Sequence, residues 1–313
     1  SSRFELPKDR PASFDESGAR VYLKPDVARG FFFHIRRWLQ PFLIAIFLGA
    51  PWVRVGGEPL ILFDIPHRRF SLFGSVFWAH DVPMLFFIIA IFTLTVAFVT
   101  AVWGRVWCGW ACPQTVFIEA VFRKLERLIE GFERGSYRTT KALPEGFEGW
   151  VRWILKWIAF LAVSLVLAHA FIAYFVGTEH LMQMVVRPPA EAPGWFLFMS
   201  IVTAIVLLDF GWFREQFCII ACPYGRIQTL FIDDQSKLVA YDFKRGEPRK
   251  GTAAAGTPAG DCVNCFRCVQ VCPTGIDIRR GTQQLECIAC TACIDACDEI
   301  MERKKKPKGL IRY

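Results

Sequence analysis

Trp107-Cys108-Gly109-Trp110-Ala111-Cys112-Pro113 and Phe217-Cys218-Ile219-Ile220-Ala221-Cys222-Pro223 are two versions of one phrase, aromatic-Cys-x-x-Ala-Cys-Pro, set 110 residues apart. Each closes a pair of apolar runs. Four stretches carry no Asp, Glu, Lys or Arg: 38–53, 82–104, 157–178 and 192–208, of 16, 23, 22 and 17 residues. A spanning helix needs about 20 apolar residues, within a range of roughly 17–25. The second and third runs meet this outright. The fourth meets it if Asp209 sits near the interface and the helix continues to Phe213. The first, interrupted by Pro41, Gly49 and Pro51, is the weakest, with a buried or re-entrant helix as its alternative. The pattern predicts a mostly α membrane protein. Its four transmembrane helices form two repeated hairpins, each ending in Cys-x-x-x-Cys-Pro. Parallel repeats in membranes relate by an axis along the membrane normal, with sites at the repeat interface.

The whole chain agrees. It has 313 residues, of which 53% are hydrophobic, 15% aromatic and 21% charged, with a mean hydropathy of +0.32. A soluble domain sits nearer about 45–50% apolar and 25% charged. A purely soluble enzyme, a disordered tail and a coiled coil are thereby excluded. All 11 Trp lie at or before Trp212, most of them near span ends, as in the aromatic belt of a bilayer interface. Of 37 Lys and Arg, 33 fall in 1–37, 105–156 and from 213 onward; 4 fall in the loops 54–81 and 179–191. The positive-inside rule then puts the N-terminus and the C-terminal tail in the cytoplasm. The predicted location is the inner (cytoplasmic) membrane of a bacterium, multi-pass. The net charge of +8 is a topology signal, and a nucleic-acid partner is not expected. Residues 1–37 are too long and polar for a signal peptide.

Beyond the second hairpin, 244–260 is rich in Gly, Pro and small residues and reads as a flexible linker. Seventeen such residues reach roughly 20–25 Å. A ferredoxin domain follows over 261–300, then a basic tail, 301–313. Cys262-x2-Cys265-x2-Cys268-x3-Cys272-Pro273 is the bacterial iron–sulfur run, and Cys287-x2-Cys290-x2-Cys293-x3-Cys297 repeats it. Three close thiolates grip one cubane, and the fourth ligates the other. Cys262, Cys265, Cys268 and Cys297 are thus expected on one [4Fe–4S] cluster, and Cys287, Cys290, Cys293 and Cys272 on the second. Asp298 stands where proline often follows the last ligand. Two adjacent clusters make a wire for single electrons.

Cys108, Cys112, Cys218 and Cys222 are spaced i, i+4, so on a helix each pair shares a face. The repeat would bring both pairs to its axis near the cytoplasmic face. Soft thiolates favour Cu(I), zinc or iron–sulfur clusters; copper and a third cluster are both open, and small buried core residues are the plain alternative. After the first motif, 113–130 reads as an interfacial amphipathic helix, with Val116, Phe117, Ala120, Val121, Leu125 and Leu128 on its apolar face. His169 reads as a satisfied interior histidine. His180, Met182 and Met184 read as a loop contact surface, with copper binding as the alternative. No Walker loop, dinucleotide fingerprint or nucleophile triad is present.

One resemblance ties these features together. The residues are Leu62-Phe63-Asp64-Ile65-Pro66, Arg69-Phe70, Gly104-Arg105-Val106 leading into the first motif, Gln114-Thr115-Val116-Phe117 after it, Glu119, Cys222-Pro223-Tyr224-Gly225-Arg226-Ile227-Gln228, and the ending 308–313. Over nearly its whole length the chain resembles the cytochrome c oxidase accessory protein family, CcoG, also called FixG or RdxA. The resemblance implies a membrane polyferredoxin that matures the cbb3-type oxidase by reducing Cu(II) to Cu(I). It implies partners in the bilayer, the copper ion, copper-delivery proteins and an unidentified electron donor. Cys108, Cys112, Cys218 and Cys222 would then be the catalytic, metal-contacting thiols. It also implies continuation past Tyr313 into a fifth span and a periplasmic immunoglobulin-like domain. The rival classes are a quinol-dehydrogenase ferredoxin subunit, marked by a quinone pocket near a span end, and a copper chaperone without reductase activity.

Overall fold

The computed structural model describes residues 17, 21–65, 67–131, 138–139, 146–227, 230–233, 235–251, 258–281, 284 and 286–313. Among the described residues, four helices are long and apolar enough to cross a membrane. They are α1 (Phe31–Gly49), α2 (Val82–Trp103), α5 (Gly146–Val176) and α7 (Pro193–Phe213). α1 begins seven residues before the charge-free run and carries Arg36 and Arg37 in its first turns, with Pro41 inside. α2 is apolar all round. Phe86, Phe87, Ile91, Phe92, Leu94 and Phe98 are all exposed, as a lipid-facing helix requires. α7 runs through Asp209 to Phe213, its last six residues in π-helical form.

The core of the membrane part lies where the two hairpins meet. Phe122, fully buried, stacks on Phe210 at 5.2 Å and meets the edge of Phe160 at 5.0 Å. Phe117 and Leu167 close the cluster. Offset and edge-on rings are the arrangements that aromatic quadrupoles favour.

Phe122 belongs to the helix after the first motif, α4 (113–130), which follows the short α3 (Val106–Trp110). α4 corrects the expectation of an interfacial helix. Its apolar residues Val116, Phe117 and Ile118 are buried, and so is Arg123 on its polar side, whereas Leu128 is exposed. The helix is wedged between α1, α5 and α7, because the aromatic cluster and buried ion pairs use both of its faces.

The loop between α1 and α2 holds a three-stranded meander, β1 (Ile61–Asp64), β2 (Arg69–Leu72) and β3 (Ser75–Phe77), paired Phe63 to Phe70 and Phe70 to Phe77. It packs on α5. α6 (Thr178–Val186) follows α5 and carries His180, Met182 and Met184. The second motif is a π-helical turn, α8 (Phe217–Ala221), followed by α9 (Pro223–Ile227).

In the C-terminal part, β4 (Ala240–Tyr241) pairs antiparallel with β5 (Ile311–Arg312) and closes the domain. α10 (Phe243–Gly246) leads away from β4; α11 (Arg267–Gln270) carries Cys268 of the first cysteine run, and α12 (Ala292–Arg303) carries Cys293 and Cys297 of the second. The flexible linker is corrected for the described part of 244–260. Lys250 donates to the Cys262 carbonyl at 3.0 Å, Gly260 to that of Pro248 at 2.8 Å, and Arg245 pairs with Asp261 at 2.5 Å. Gly and Pro serve a tight return of the chain here. Residues 252–257 lie outside the described set.

Candidate functional site: two thiol motifs against a ferredoxin edge

The sequence repeat is also a repeat of backbone. Gly104 (φ 56°, ψ −130°) and Arg214 (φ 51°, ψ −123°) stand 110 residues apart and share a conformation that glycine alone takes easily. Each reverses the chain four residues before the first cysteine of its motif. The second cysteines correspond too: Cys112 (φ −60°, ψ 125°) and Cys222 (φ −71°, ψ 113°) are extended. Their amides donate to Trp107 and Phe217 at 2.9 and 2.8 Å. Each then precedes a proline that starts a helix, where the missing N–H costs nothing. The shared helical face is therefore corrected. The first cysteine sits on a short helical turn and the second leaves it.

The motifs are tied across the repeat. Thr100, near the end of α2, hydrogen-bonds the Tyr224 hydroxyl at 2.8 Å, and Arg105 donates to the Gly225 carbonyl. From the other side, Gln114 donates to Asp209 at 3.0 Å. Around this crossing, Cys108, Cys112 and Cys222 all act electrostatically on Cys218. Burial raises the Cys218 thiol, and Cys112, Cys108, Glu215 and Cys222 add to the rise. Burial likewise raises Cys112, the amides of Gln114 and Thr115 pull it back, and Cys222 pushes it up. Among the described residues, no three His, Cys, Asp or Glu side chains form a cage for a single ion.

The ferredoxin part touches this site through its second cysteine run. A Cβ on Gly109 would stand 2.4 Å from the Ile288 carbonyl oxygen and 2.8 Å from the Cys290 nitrogen. Only a glycine lets the two backbones approach so closely. Trp110 donates to the Ala289 carbonyl at 3.3 Å, and Cys108 packs on Ile288, Cys290 and Ala292. Two further contacts lock the docking, and a third, between Arg214 and Glu126, braces the membrane part beneath it. Arg123, 2% exposed, pairs with Glu119 of its own helix and Glu215 of the second motif, and donates to the Pro273 carbonyl beside Cys272. Burial would raise the Glu119 carboxyl, but Arg123, Arg36 and Arg127 outweigh it and hold it below the ordinary range. Asp295 of α12 accepts from the Phe32 and Phe33 amides at 3.1 and 2.6 Å, capping α1 from the ferredoxin side. Arg214 forks onto Glu126 at 2.9 and 3.2 Å. Burial opposes the Glu126 charge, yet Arg214 with Lys156 and Lys24 keeps its carboxyl near about 2.

The two cysteine runs repeat as well. Asn264 and Ala289, then Phe266 and Thr291, all have positive φ, between 52° and 62°, at matching places in each run. Cys268, Cys272, Cys287, Cys290 and Cys293 line one apolar cavity with Val239, Ile276 and Ile278. Burial pushes the Cys272 and Cys287 thiols up to about 11 and about 12, each aided by neighbouring cysteines. Cys297 is pushed up to about 12 by burial and then by Cys262, Asp298 and Cys265. Such thiols stay protonated unless cationic metal replaces the proton. All twelve cysteines are free. Enclosed, apolar and sulfur-lined, the chamber fits the iron–sulfur group the spacing implies.

The remaining histidine expectations fall elsewhere. The Nδ1 of His169 donates to the Leu165 carbonyl at 2.7 Å. His180 meets the edge of Trp195 at 6.2 Å.

Comparison with known proteins agrees. A family model described as "4Fe-4S dicluster domain" matches residues 213–313, and one described as "4Fe-4S binding domain" matches 84–130. RdxA and FixG are similar along nearly all of this chain. Protein RdxA of Cereibacter sphaeroides is 38% identical over 299 residues, covering 94% of this chain and 62% of RdxA. The nitrogen fixation protein FixG of Rhizobium meliloti is 38% identical over 302 residues, 92% of this chain and 56% of FixG. The chain belongs to the RdxA and FixG family. It spans about three fifths of the length of these curated relatives. The methylamine utilization ferredoxin-type protein MauN of Methylorubrum extorquens is 26% identical over 57% of the chain. No solved structure gives a significant match. This member is a multi-pass iron–sulfur electron-transfer protein.

Sequence reasoning found all twelve cysteines. It missed Gly109, Arg123 and Asp295 as the parts that join the two halves. Gly109 and Glu119 stood within the family motif, but nothing local marked what they touch.

Proposed function

We propose that the chain is a cupric reductase of the inner membrane, with both described ends cytoplasmic, supplying Cu(I) for assembly of a cbb3-type oxidase. The observation that carries this reading is the close approach of the first thiol motif, at Gly109, to the Ile288–Cys290 backbone, with Cys108 packed against the same buried cluster. Cys262, Cys265, Cys268 and Cys297 would hold one [4Fe–4S] cluster, and Cys272, Cys287, Cys290 and Cys293 the other. Bound there, the clusters supply electrons one at a time, which suits a one-electron acceptor such as Cu(II). The enclosing side chains exclude water. Arg123, through Pro273, and Asp295, through the start of α1, hold the ferredoxin part against the membrane part. Cys108, Cys112, Cys218 and Cys222 would receive the substrate ion, and thiolates favour the reduced form as it appears.

Changing Cys108 and Cys218 to Ser should leave iron and sulfide content intact in anaerobically prepared protein and abolish Cu(II) reduction by the dithionite-reduced form. Full copper reduction in that variant rejects the reading. Extra iron and sulfide in the parent, lost with these two changes, would mean that the thiols hold a third cluster.

A second reading, quinol oxidation, has one observation in its favour. A largely apolar groove of about 550 Å³ between α5 and α7 is lined by His169 and Thr203, whose buried hydroxyl has no partner. It stands second because His169 lies nine residues outward from Phe160, about 14 Å along the helix, on the side away from the thiols. Oxidation of a short-chain quinol by the oxidised protein would favour it.

A further inference from the structure

We infer that electrons enter this protein at the Cys262–Cys265 corner, from a soluble, acidic, one-electron carrier protein docked on a basic surface. The inference rests on the electron-transfer reading above but not on copper as the acceptor.

The two ligand sets are not equivalent in place. The set that includes Cys287 and Cys290 is sealed against the hairpins by Gly109, Trp110 and the Arg123–Pro273 contact. In the other set, Cys265 is exposed, alone in that class among the twelve cysteines. One ligand set lies against the hairpins and the other has an exposed member, so a carrier from solution reaches the second kind of edge first.

The surroundings of Cys265 are basic. Lys250 is exposed, and its amide is bonded to the Cys262 carbonyl. Lys306 reaches the Gly260 carbonyl at 3.3 Å and Asp261 at 3.1 Å, one residue from Cys262. Asp261 also pairs with Arg245, so two cations face one carboxylate. Arg279 lies over the Phe266 ring at 4.4 Å and bonds Asn264 at 2.9 Å, between Cys262 and Cys268 in sequence. Its own charge is met by Asp277 at 2.8 Å, and exposed Arg280 follows it. Arg249 pairs with Glu247 at 2.7 Å. With Asp298 beside Cys297 counted, six cations thus stand against four carboxylates around this ligand set. A field of this sign speeds association with an acidic partner and weakens with salt. One electron leaves the reduced carrier for the Cys262, Cys265, Cys268 and Cys297 set. No bond forms or breaks, and no proton moves.

The test uses the full chain in detergent or nanodiscs, with a reduced acidic flavodoxin as the probe. Lys250→Glu and Arg280→Glu together should lower the second-order rate of iron–sulfur reduction at low ionic strength by about tenfold or more and flatten its salt dependence. Binding of the oxidised flavodoxin, read by interferometry without turnover, should weaken in parallel. Reduction by dithionite, and copper reduction by the dithionite-reduced variant, should not change. Loss of these two would signal damage to the clusters or failure of the copper reading, not of this one. An unchanged flavodoxin rate and salt slope, with copper reduction intact, overturns the inference. So does a variant that loses only its affinity for phosphatidylglycerol vesicles, because the basic surface would then face lipid.

Discussion

Arg214 holds a conformation that its twin in the repeat gives to glycine. At Gly104 a Cβ would stand 2.5 Å from Leu238 Cδ2. At Arg214 the Cβ is present, and positive φ costs a non-glycine residue on the order of 1–2 kcal/mol. The bidentate pair with Glu126 and the bond to the Gly211 carbonyl offset that cost. Arg214→Gly and Arg214→Ala both lose these bonds, but only the first relieves the backbone. Arg214→Gly should therefore be the more stable variant by about 1 kcal/mol, read from denaturant or thermal midpoints in detergent. Equal midpoints would mean that the backbone at 214 carries no strain.

At the scale of elements, the contact between α3 and the Ile288–Cys290 segment is one of backbone on backbone. Neither partner has a flexible end that could swing aside. Gly109→Ala should push the two apart. Iron and sulfide should be retained, since no ligand changes, while electron delivery to the thiol site slows by tenfold or more. Freeze-quench spectroscopy of prereduced protein mixed with Cu(II) reads the delivery directly. Delivery at the parent rate would show that electrons do not cross at this contact. Helix α4 belongs to the same scale. It joins both hairpins and the ferredoxin part through one buried guanidinium, which explains why both of its faces are covered.

For the whole molecule, the ferredoxin part and the membrane part act as one docked unit. Asp295 caps α1 across 262 residues of chain, and Arg267 pairs with Asp26 near the start of the described chain. Orientation is therefore decided once for all parts. Reporter fusions after Leu60 and after Arg187 should report the periplasm, and one after Gly251 the cytoplasm. A periplasmic signal after Gly251 would reverse the topology and place the iron–sulfur ligands in an oxidising compartment.

The spans, the repeat and the two cysteine runs were legible in the sequence, because each is a local property. An apolar run of given length has few places to go, and Cys-x2-Cys-x2-Cys-x3-Cys carries its ligand geometry in its spacing. The i, i+4 spacing misleads at the thiols, because Cys112 and Cys222 leave their turns ahead of Pro113 and Pro223. The fit between parts was not legible. The docking depends on a missing side chain at Gly109, on one arginine that stands between Glu119, Glu215 and Pro273, and on a carboxylate that caps a helix far away in the chain. None of these has a local signature, because each is defined by what approaches it. The stretch at 244–260 reads as a linker by composition, yet its described residues are bonded to the ferredoxin part. Composition sets what a backbone can do; only the tertiary structure decides which partner its amides find.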